Sequence, residues 1–316
     1  MQRVGLIHHA KFPIDKYGGT ERVVWWLAHG LAEEGILVTL VGAPGTQCSF
    51  ADVIESDFKG NWWKEIPECD VLHFFTAPPS EPDVPYISTV GGNGKPGETF
   101  LTNTVFVSKN HAERHGSQSF VYNGVKPDEY EFSAVKEDYL FFLAKASWKV
   151  KNVDGAIRVA RQAGRKLRIM GGSRPWLPSW RGVRWEGNVG GKKKAEIVSR
   201  GAALLFPVIW HEPFGIAVIE ALMSGSPVIG TRRGSLPELL PTNVGAICDT
   251  EEELVGAIRG LSKYRASDCR DWAMTRFHYR QMTRDYLEKY KIVVGGRKLN
   301  NVPPRSIGNP GAILPL

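Results

Sequence analysis

Two kinds of apolar pattern alternate along the chain. Short apolar runs typical of buried strands, such as residues 4–9 and 203–209, are separated by longer segments in which apolar residues recur every three or four positions. In one of these, residues 20–35, Thr20 fits an N-cap and Gly35 a helix end. Strands that alternate with helices predict an α/β fold: an open parallel sheet with helices on both faces.

The pattern occurs twice. Strands are predicted at residues 4–9, 37–42, 70–75, 86–90, 104–108 and 120–124, and then at 139–144, 167–171, 203–209, 227–231 and 245–249. In the second set, helices are predicted at about 154–163, 192–201, 213–224 and 251–262. The turn dipeptide Asn123-Gly124 precedes a polar stretch that separates the halves. We therefore predict two doubly wound domains, residues 1–125 and 126–277, that face each other across a cleft.

The end of the chain differs from both halves. Residues 278–294 have the pattern of a long amphipathic helix, which we expect to pack back on the first domain. The stretch that follows, residues 295–316, is rich in Gly, Pro and Asn, and we predict a flexible tail there.

Charge is unevenly distributed. Residues 1–125 carry 9 basic and 14 acidic side chains, whereas the rest of the chain carries 31 and 19. This asymmetry favours an anionic ligand for the second domain. No zinc-finger spacing, aromatic RNA-binding motif or basic amphipathic helix supports a nucleic-acid partner. No apolar run approaches the ~20 residues that span a bilayer, and the four scattered cysteines fit a reducing cytosol.

The stretch "HEPFGIAVIEALMSGSPVIG", residues 211–230, carries two acids in an apolar helical pattern. Pro213 suits the first position of a helix, so we predict that the helix begins there. The backbone N–H groups of residues 214–216 would then form an anion site at its positive end. Glu212 and Glu220 would flank that site, and carboxylates accept hydrogen bonds from sugar hydroxyls. We expect a ligand with hydroxyl groups at both ends and phosphates between them.

These residues carry a family resemblance. Glu212 and Glu220 reproduce an E-x7-E motif, and "EPFGIAVIEALMSGSPVIGTRRGSLPELL" resembles the nucleotide-sugar site of glycosyltransferase family 4. "YGGTERVVWWLAHGLAEEG", "VYNGV" and "FLAKASWKVKNVDGAI" resemble further family segments and occur in the family's order. The resemblance implies the GT-B fold, with two Rossmann-like domains, and a retaining reaction.

The resemblance also implies roles for single residues. Glu220 would hold the ribose of the donor. Glu212 would hold the donor sugar, together with the backbone of Phe214, Gly215 and Ile216. Lys145 and Lys151 would neutralise the leaving diphosphate, with Lys149 as a substitute for Lys145; a surface charge is the alternative for each lysine. Gly19 would let backbone N–H groups approach the phosphates from the first domain, and the loop at 184–189 would contact the nucleobase.

One position departs from the family pattern. Gly91 stands where many members have a histidine near the reacting sugar. His73, His9 and His111 are the candidates to compensate, but a lone histidine at a strand end is more often structural, so we assign no catalytic histidine. No D-x-D triad occurs, so we expect neither a metal nor a cofactor beyond the donor itself.

The sequence therefore predicts a cytoplasmic, retaining, metal-independent glycosyltransferase. It would move a hexose from a nucleoside-diphosphate sugar, UDP- or GDP-linked, to a glycan, glycolipid or small-molecule acceptor, with at most weak peripheral contact with the inner membrane face. The alternatives are a non-catalytic nucleotide-sugar or glycan-binding protein, and a sugar-nucleotide epimerase. The nucleobase, sugar, acceptor and oligomeric state stay open.

Overall fold

The chain divides into two compact units. The structure, a computed structural model, describes residues 1–14, 18–60, 62–78, 80–172, 182–309, 311–314 and 316, with the backbone alone at residues 64 and 65. Unit 1 comprises residues 1–125 and 278–310, and unit 2 comprises residues 126–277 and 311–316.

Unit 1 contains a six-stranded parallel sheet. Its strands are β1 (Arg3–Ile7), β2 (Leu37–Gly42), β3 (Asp52–Glu55), β4 (Val71–Phe74), β5 (Tyr86–Val90) and β6 (Thr104–Phe106). They lie in the order β3-β2-β1-β4-β5-β6, so the strand order reverses between β1 and β4. Helices α1 (Thr20–Glu33) and α2 (Lys109–Glu113) follow β1 and β6. Such a reversal marks the crevice where ligands bind in doubly wound sheets.

Unit 2 repeats this architecture. Its strands are β7 (Glu137–Leu143), β8 (Lys166–Met170), β9 (Val183–Gly187), β10 (Gly201–Phe206), β11 (Val228–Thr231) and β12 (Gly245–Cys248), in the order β12-β11-β10-β7-β8-β9. The helices are α3 (Val153–Gln162), α4 (Gly191–Arg200), α5 (Ile216–Met223), α6 (Leu236–Leu239), α7 (Glu251–Arg259) and α8 (Ala266–Arg276). The strand order reverses between β7 and β10, which are neighbours in the sheet. Their carboxyl ends therefore define the equivalent crevice in this unit.

Helix α9 (Tyr279–Val294) returns the chain to unit 1. Its Tyr286 and Tyr290 are fully buried. It lies so close to α1 that a Cβ at Gly30 would overlap with the side chain of Thr283. The close approach of two helices at a small residue explains why Gly30 is tolerated inside a helix, where it costs about 0.5–1 kcal/mol relative to alanine.

The chain after α9 is not the loose tail that composition predicts. Asn300 is buried, and its side-chain amide donates to the carbonyl oxygens of Thr102 and Thr104. The backbone N–H groups of Arg305 and Ser306 donate to carbonyl oxygens of unit 1 as well. Residues 310 and 315 lie outside the described residues. Composition cannot register such hydrogen bonds, because they depend on a partner surface rather than on the segment itself.

The structure differs from the strand prediction at three places. The apolar pattern did not predict β3 and β9, which lie at sheet edges. The strand predicted at 120–124 forms only an isolated bridge, between Phe106 and Phe120. β3 has the burial pattern of an exposed edge, with none of its four residues fully buried. An edge strand needs no continuous apolar run, since one side of it faces solvent.

No helix within the described ranges is long and apolar enough to cross a bilayer. In the tryptophan pairs 25–26 and 62–63, Trp26 and Trp62 are buried in the interior of unit 1.

Candidate functional site

Glu212 lies in the loop that follows β10, and its carboxylate has two donors. The ammonium of Lys151 is 2.5 Å from Oε2, and the indole N–H of Trp210 donates to the same oxygen at 2.8 Å. Glu212 is 6% exposed and Lys151 is 9% exposed, so this ion pair is buried. A buried carboxylate with a cation and a fixed neutral donor is held in one orientation.

Lys151 reaches Glu212 from the loop that follows β7. A short 3-10 turn, Lys149–Lys151, precedes α3, and Asn152 caps that helix through its side chain in a left-handed conformation. The Lys151 ammonium also lies 4.9 Å from the centre of the Trp210 ring and 5.5 Å from that of Phe206. The structure thus brings together Lys151 and Glu212, which are sixty-one residues apart in sequence, at the reversal point of the sheet.

Lys145 lies in the same loop after β7 as Lys151, and its side chain packs on a tryptophan ring. Its ammonium sits 5.2 Å from the centre of the Trp148 ring. The Trp148 ring in turn meets the Trp210 ring edge to face, with centres 6.3 Å apart. Lys145 and Lys149 are both exposed, whereas Lys151 is buried. Trp148 and Lys149 also line a pocket of about 670 Å³ beside the loop.

The helix after Glu212 begins later than predicted. α5 starts at Ile216, and Gly215 adopts a left-handed conformation with φ 86° and ψ 66°. A residue in that region cannot continue an α-helix, so Pro213 and Phe214 belong to the preceding loop rather than to a helix that starts at Pro213. The outward N–H groups at the helix mouth are therefore those of the first turn from Ile216 onward. The side chain of Phe214 is 2% exposed and packs on Phe277, so only its backbone is suited to meet a ligand.

The loop is held from the other side by the segment after β11. Ser235 donates from its backbone N–H to the carbonyl oxygen of Glu212 at 2.9 Å, and from its hydroxyl to that of Phe214 at 2.7 Å. Gly234 has φ 61°, and a Cβ there would overlap with the backbone of Glu212. This close backbone approach fixes the position of Glu212.

Glu220 lies one turn into α5 and is also paired. Lys194 of α4 places its ammonium 2.7 Å from Oε1, and the hydroxyl of Tyr130 donates to the same oxygen at 3.1 Å. Glu220 is 5% exposed. The lysine triplet at 192–194 is typical, as a sequence, of a solvated helix face, but the Lys194 side chain is only 17% exposed and contacts Glu220. The helical spacing indicates that Lys194 lies close to the core: Ile197 and Val198, three and four residues later on the same helix face, are buried.

The end of β9 carries a second group of charges. Glu186 accepts hydrogen bonds from Arg168 at 2.8 Å and contacts Arg184 at 3.0 Å and Lys193 at 3.2 Å. Burial alone would raise the pKa of the Glu186 carboxyl, but the hydrogen bonds from Arg168 and Lys193 outweigh it, so this pKa lies below its ordinary value. Most of the loop predicted to contact a nucleobase, residues 184–189, is strand, because β9 extends to Gly187. The contact with a nucleobase stays a prediction.

Gly19 belongs to unit 1, where it is the N-cap of α1 with a right-handed conformation. Its carbonyl oxygen accepts from the N–H of Val23 at 3.3 Å. The glycine therefore serves the start of α1, and its contact with a donor stays a prediction.

Two of the three histidines considered in place of Gly91 are interior residues. His73 is fully buried between the hydroxyls of Tyr290 and Thr89, at 2.7 Å from each, and burial holds its pKa well below the ordinary value. His111 contacts the carbonyl oxygen of Gly92 at 3.1 Å, and burial lowers its pKa to about 3. His9 is exposed at the end of β1, 3.2 Å from the hydroxyl of Thr76.

No group of three or more His, Cys, Asp or Glu side chains is arranged to hold a metal ion in the part of the chain that the structure describes. The charges near Glu212 and Glu220 come instead from lysine side chains.

The two sheets, their shared strand order and the crevice in each define the class of fold: the GT-B fold of two Rossmann-like units. Residues 137–263, which include Lys145, Lys151, Glu212 and Glu220, match the family model described as "Glycosyl transferases group 1". Among curated proteins, none matches.

Solved structures share the fold over nearly the whole chain. AviGT4, a glycosyltransferase involved in avilamycin A biosynthesis, is 23% identical, with 94% of this chain and 99% of that chain covered and a TM-score of 0.79. Sucrose-phosphate synthase from Thermosynechococcus elongatus is 14% identical, with 94% and 100% covered and a TM-score of 0.72. Anabaena HepE in complex with UDP-glucose is 13% identical, with 92% and 100% covered and a TM-score of 0.66.

Proposed function

We propose that this protein is a retaining, metal-independent glycosyltransferase that moves a hexose from a nucleoside-diphosphate sugar to an acceptor. The observation that carries the proposal is the buried Lys151–Glu212 pair at the reversal point of the unit 2 sheet. It lies in the region that matches a glycosyltransferase family model. Uridine diphosphate is the first nucleotide to test, since HepE shares the fold and is seen with UDP-glucose.

In this proposal the two acids bind the two ends of the donor. Glu220, one turn into α5, accepts hydrogen bonds from the ribose hydroxyls, and Glu212 accepts them from hydroxyls of the sugar. The diphosphate lies between them at the first turn of α5, whose N–H groups and positive dipole end favour an anion. Lys145 and Lys151 supply two cations beside it.

The reaction needs no protein nucleophile in this scheme. The bond between the anomeric carbon and the diphosphate oxygen breaks, and that oxygen keeps the electron pair. The acceptor hydroxyl oxygen attacks the anomeric carbon from the same face, and its proton passes to the departing diphosphate oxygen. Negative charge grows on the diphosphate as the bond breaks, and fixed cations that await it stabilise the transition state. The lysines thus take the part that a metal ion plays in other sugar transferases.

The acceptor partner is a glycan, a glycolipid or a small molecule, which we assign to unit 1, whose residues 1–125 carry an acidic excess. A cytoplasmic location, with at most weak peripheral membrane contact, fits this assignment. One observation favours a second candidate: Gly91 leaves the histidine position of the family vacant, and His73 and His111 are locked in the interior. A non-catalytic nucleotide-sugar-binding protein would need no such histidine.

The test is sugar transfer from UDP-glucose and GDP-mannose to a panel of sugar acceptors, with excess EDTA present and the anomeric configuration of the product read by NMR. We expect a retained configuration and undiminished turnover in EDTA. We expect Lys151→Met to lower kcat by about 100-fold or more, the size of effect seen when one transition-state donor is removed.

The other outcomes separate the alternatives. An inverted product contradicts the retaining reaction, and activity lost in EDTA but restored by Mg²⁺ contradicts metal independence. Saturable donor binding without turnover under any acceptor favours the binding protein. Conversion of the donor sugar in the absence of an acceptor favours an epimerase.

A further inference from the structure

Trp210 donates to the acid that the sequence singles out, although nothing in the motif points to this residue. Its indole N–H donates to Oε2 of Glu212 at 2.8 Å, and the Lys151 ammonium shares that oxygen at 2.5 Å. Both contacts fall on one oxygen. The other oxygen, Oε1, is therefore the one that can turn to a ligand.

The contacts of Lys151 and Trp210 with Glu212 should respond differently to a bound diphosphate. In the proposed function, Lys151 is attracted by the phosphates, and its bond to Glu212 weakens as it turns to them. An indole N–H is neutral and is not drawn to an anion in this way. The Trp210 ring also meets the Trp148 ring edge to face, with ring centres 6.3 Å apart. We therefore expect Trp210 to keep its bond to Glu212 while Lys151 changes partners.

We propose that Trp210 is a positioning residue for the sugar end of the donor: it anchors Oε2 of Glu212 so that Oε1 stays directed to a sugar hydroxyl. This inference rests on the proposed function, since it assigns Glu212 to the sugar. Loss of the indole N–H should therefore weaken recognition of the sugar and leave recognition of the bare nucleotide unchanged.

The experiment measures the dissociation constants of UDP-glucose and UDP, and of GDP-mannose and GDP, by calorimetry for wild type and Trp210→Phe. Phenylalanine keeps an aromatic ring under Lys151 but removes the N–H. Because a hydrogen bond to a charged group contributes strongly, we expect Trp210→Phe to bind the sugar nucleotide about tenfold or more weakly than the wild type. Its affinity for the bare nucleotide should stay within about twofold of the wild-type value. The matched control is Trp272→Phe, which removes a similar indole bond, at 2.9 Å to the carbonyl oxygen of Leu239; it should change neither constant.

A double-mutant cycle separates positioning from a general structural effect. If Trp210 acts through Glu212, then Trp210→Phe should have less than about a twofold further effect in a Glu212→Ala background. If the losses of affinity caused by Trp210→Phe and Glu212→Ala multiply in the double variant, the inference is overturned. An equal loss of affinity for UDP and UDP-glucose in Trp210→Phe also overturns it. A folded wild-type chain that binds none of the four ligands overturns the proposed function, and this inference with it. Wild-type binding with an unchanged Trp210→Phe overturns the inference alone.

Discussion

At the scale of single residues, each acid of the candidate site is matched to a lysine. Glu212 pairs with Lys151, and Glu220 pairs with Lys194. All four side chains are at most 17% exposed. Removal of one partner from such a pair leaves an uncompensated charge, which costs more than the pair itself contributes. The motif identified both acids, but it gave no sign of Lys194, which reaches Glu220 from α4, or of Trp210, which lies two residues before Glu212 and outside the motif.

Lys194→Met tests the nucleotide end of the site. Glu220 is assigned to the ribose, which UDP and UDP-glucose share, so we expect both dissociation constants to rise by the same factor, about tenfold. The free energy of unfolding should fall by about 3 kcal/mol, because Glu220 stays buried without its cation. Calorimetric titration and chemical unfolding measure the two effects. Lys192→Met, an exposed neighbour on α4, is the control, and unchanged affinities in Lys194→Met would refute the assignment.

At the scale of elements, the site depends on two loops: the loop after β7, which carries Lys151, and the loop after β10, which carries Glu212. The apolar pattern predicted the strands that lead into them, but it placed the helix start at Pro213 instead of Ile216. The pattern could not predict that the segment after β11 contacts the backbone of Glu212, because a backbone contact between loops leaves no periodic signal in the sequence. The central strands were predictable, since burial on both faces requires continuous apolar runs. The edge strands β3 and β9 were not, since neither has a continuous apolar run, although the other two edge strands, β6 and β12, were predicted.

Gly234→Ala tests this contact between loops. The Cβ would overlap with the backbone of Glu212, and the positive φ of 61° is itself unfavourable for alanine. We expect the loop to shift, with a loss of donor affinity of about tenfold or more and a lower melting temperature. Gly256→Ala is the matched control: it lies in the exposed middle of α7 with open space around it. That variant should gain about 0.5–1 kcal/mol of stability and bind the donor normally. Normal donor affinity in Gly234→Ala would show that the loop contact is not needed.

At the scale of the whole molecule, the two units share a strand order but differ in chemistry. The repeated strand–helix alternation predicted the shared fold, whereas the ordered segment at 299–307 escaped a prediction made from composition. Seven of the eight histidines lie in unit 1. Burial lowers the pKa of four of them: His8, His73, His111 and His115.

This distribution predicts that acid destabilises unit 1 before unit 2. A histidine whose folded pKa lies below 6.5 takes up a proton more readily when unfolded, so stability is lost as pH falls below 6.5. For His111 the loss continues to about pH 3. Hydrogen exchange at pH 7 and about pH 5, corrected for intrinsic rates, should show unit 1 peptides losing protection first. His111→Gln, which cannot titrate, should flatten this dependence. Equal losses in both units would contradict the prediction.

The most direct test of the central claim, a nucleotide-sugar site built on Glu212 and Glu220, is the melting temperature against a panel of UDP- and GDP-sugars. A ligand that binds only the folded state at 100 times its Kd adds about 2.7 kcal/mol of stability, which corresponds to roughly 5–10 °C. We predict that one uridine or guanosine diphosphate sugar raises the melting temperature of the wild type by this amount, and that Glu220→Ala abolishes the rise. A folded wild-type chain that no nucleotide sugar stabilises, or a Glu220→Ala variant with the full rise, would contradict the account.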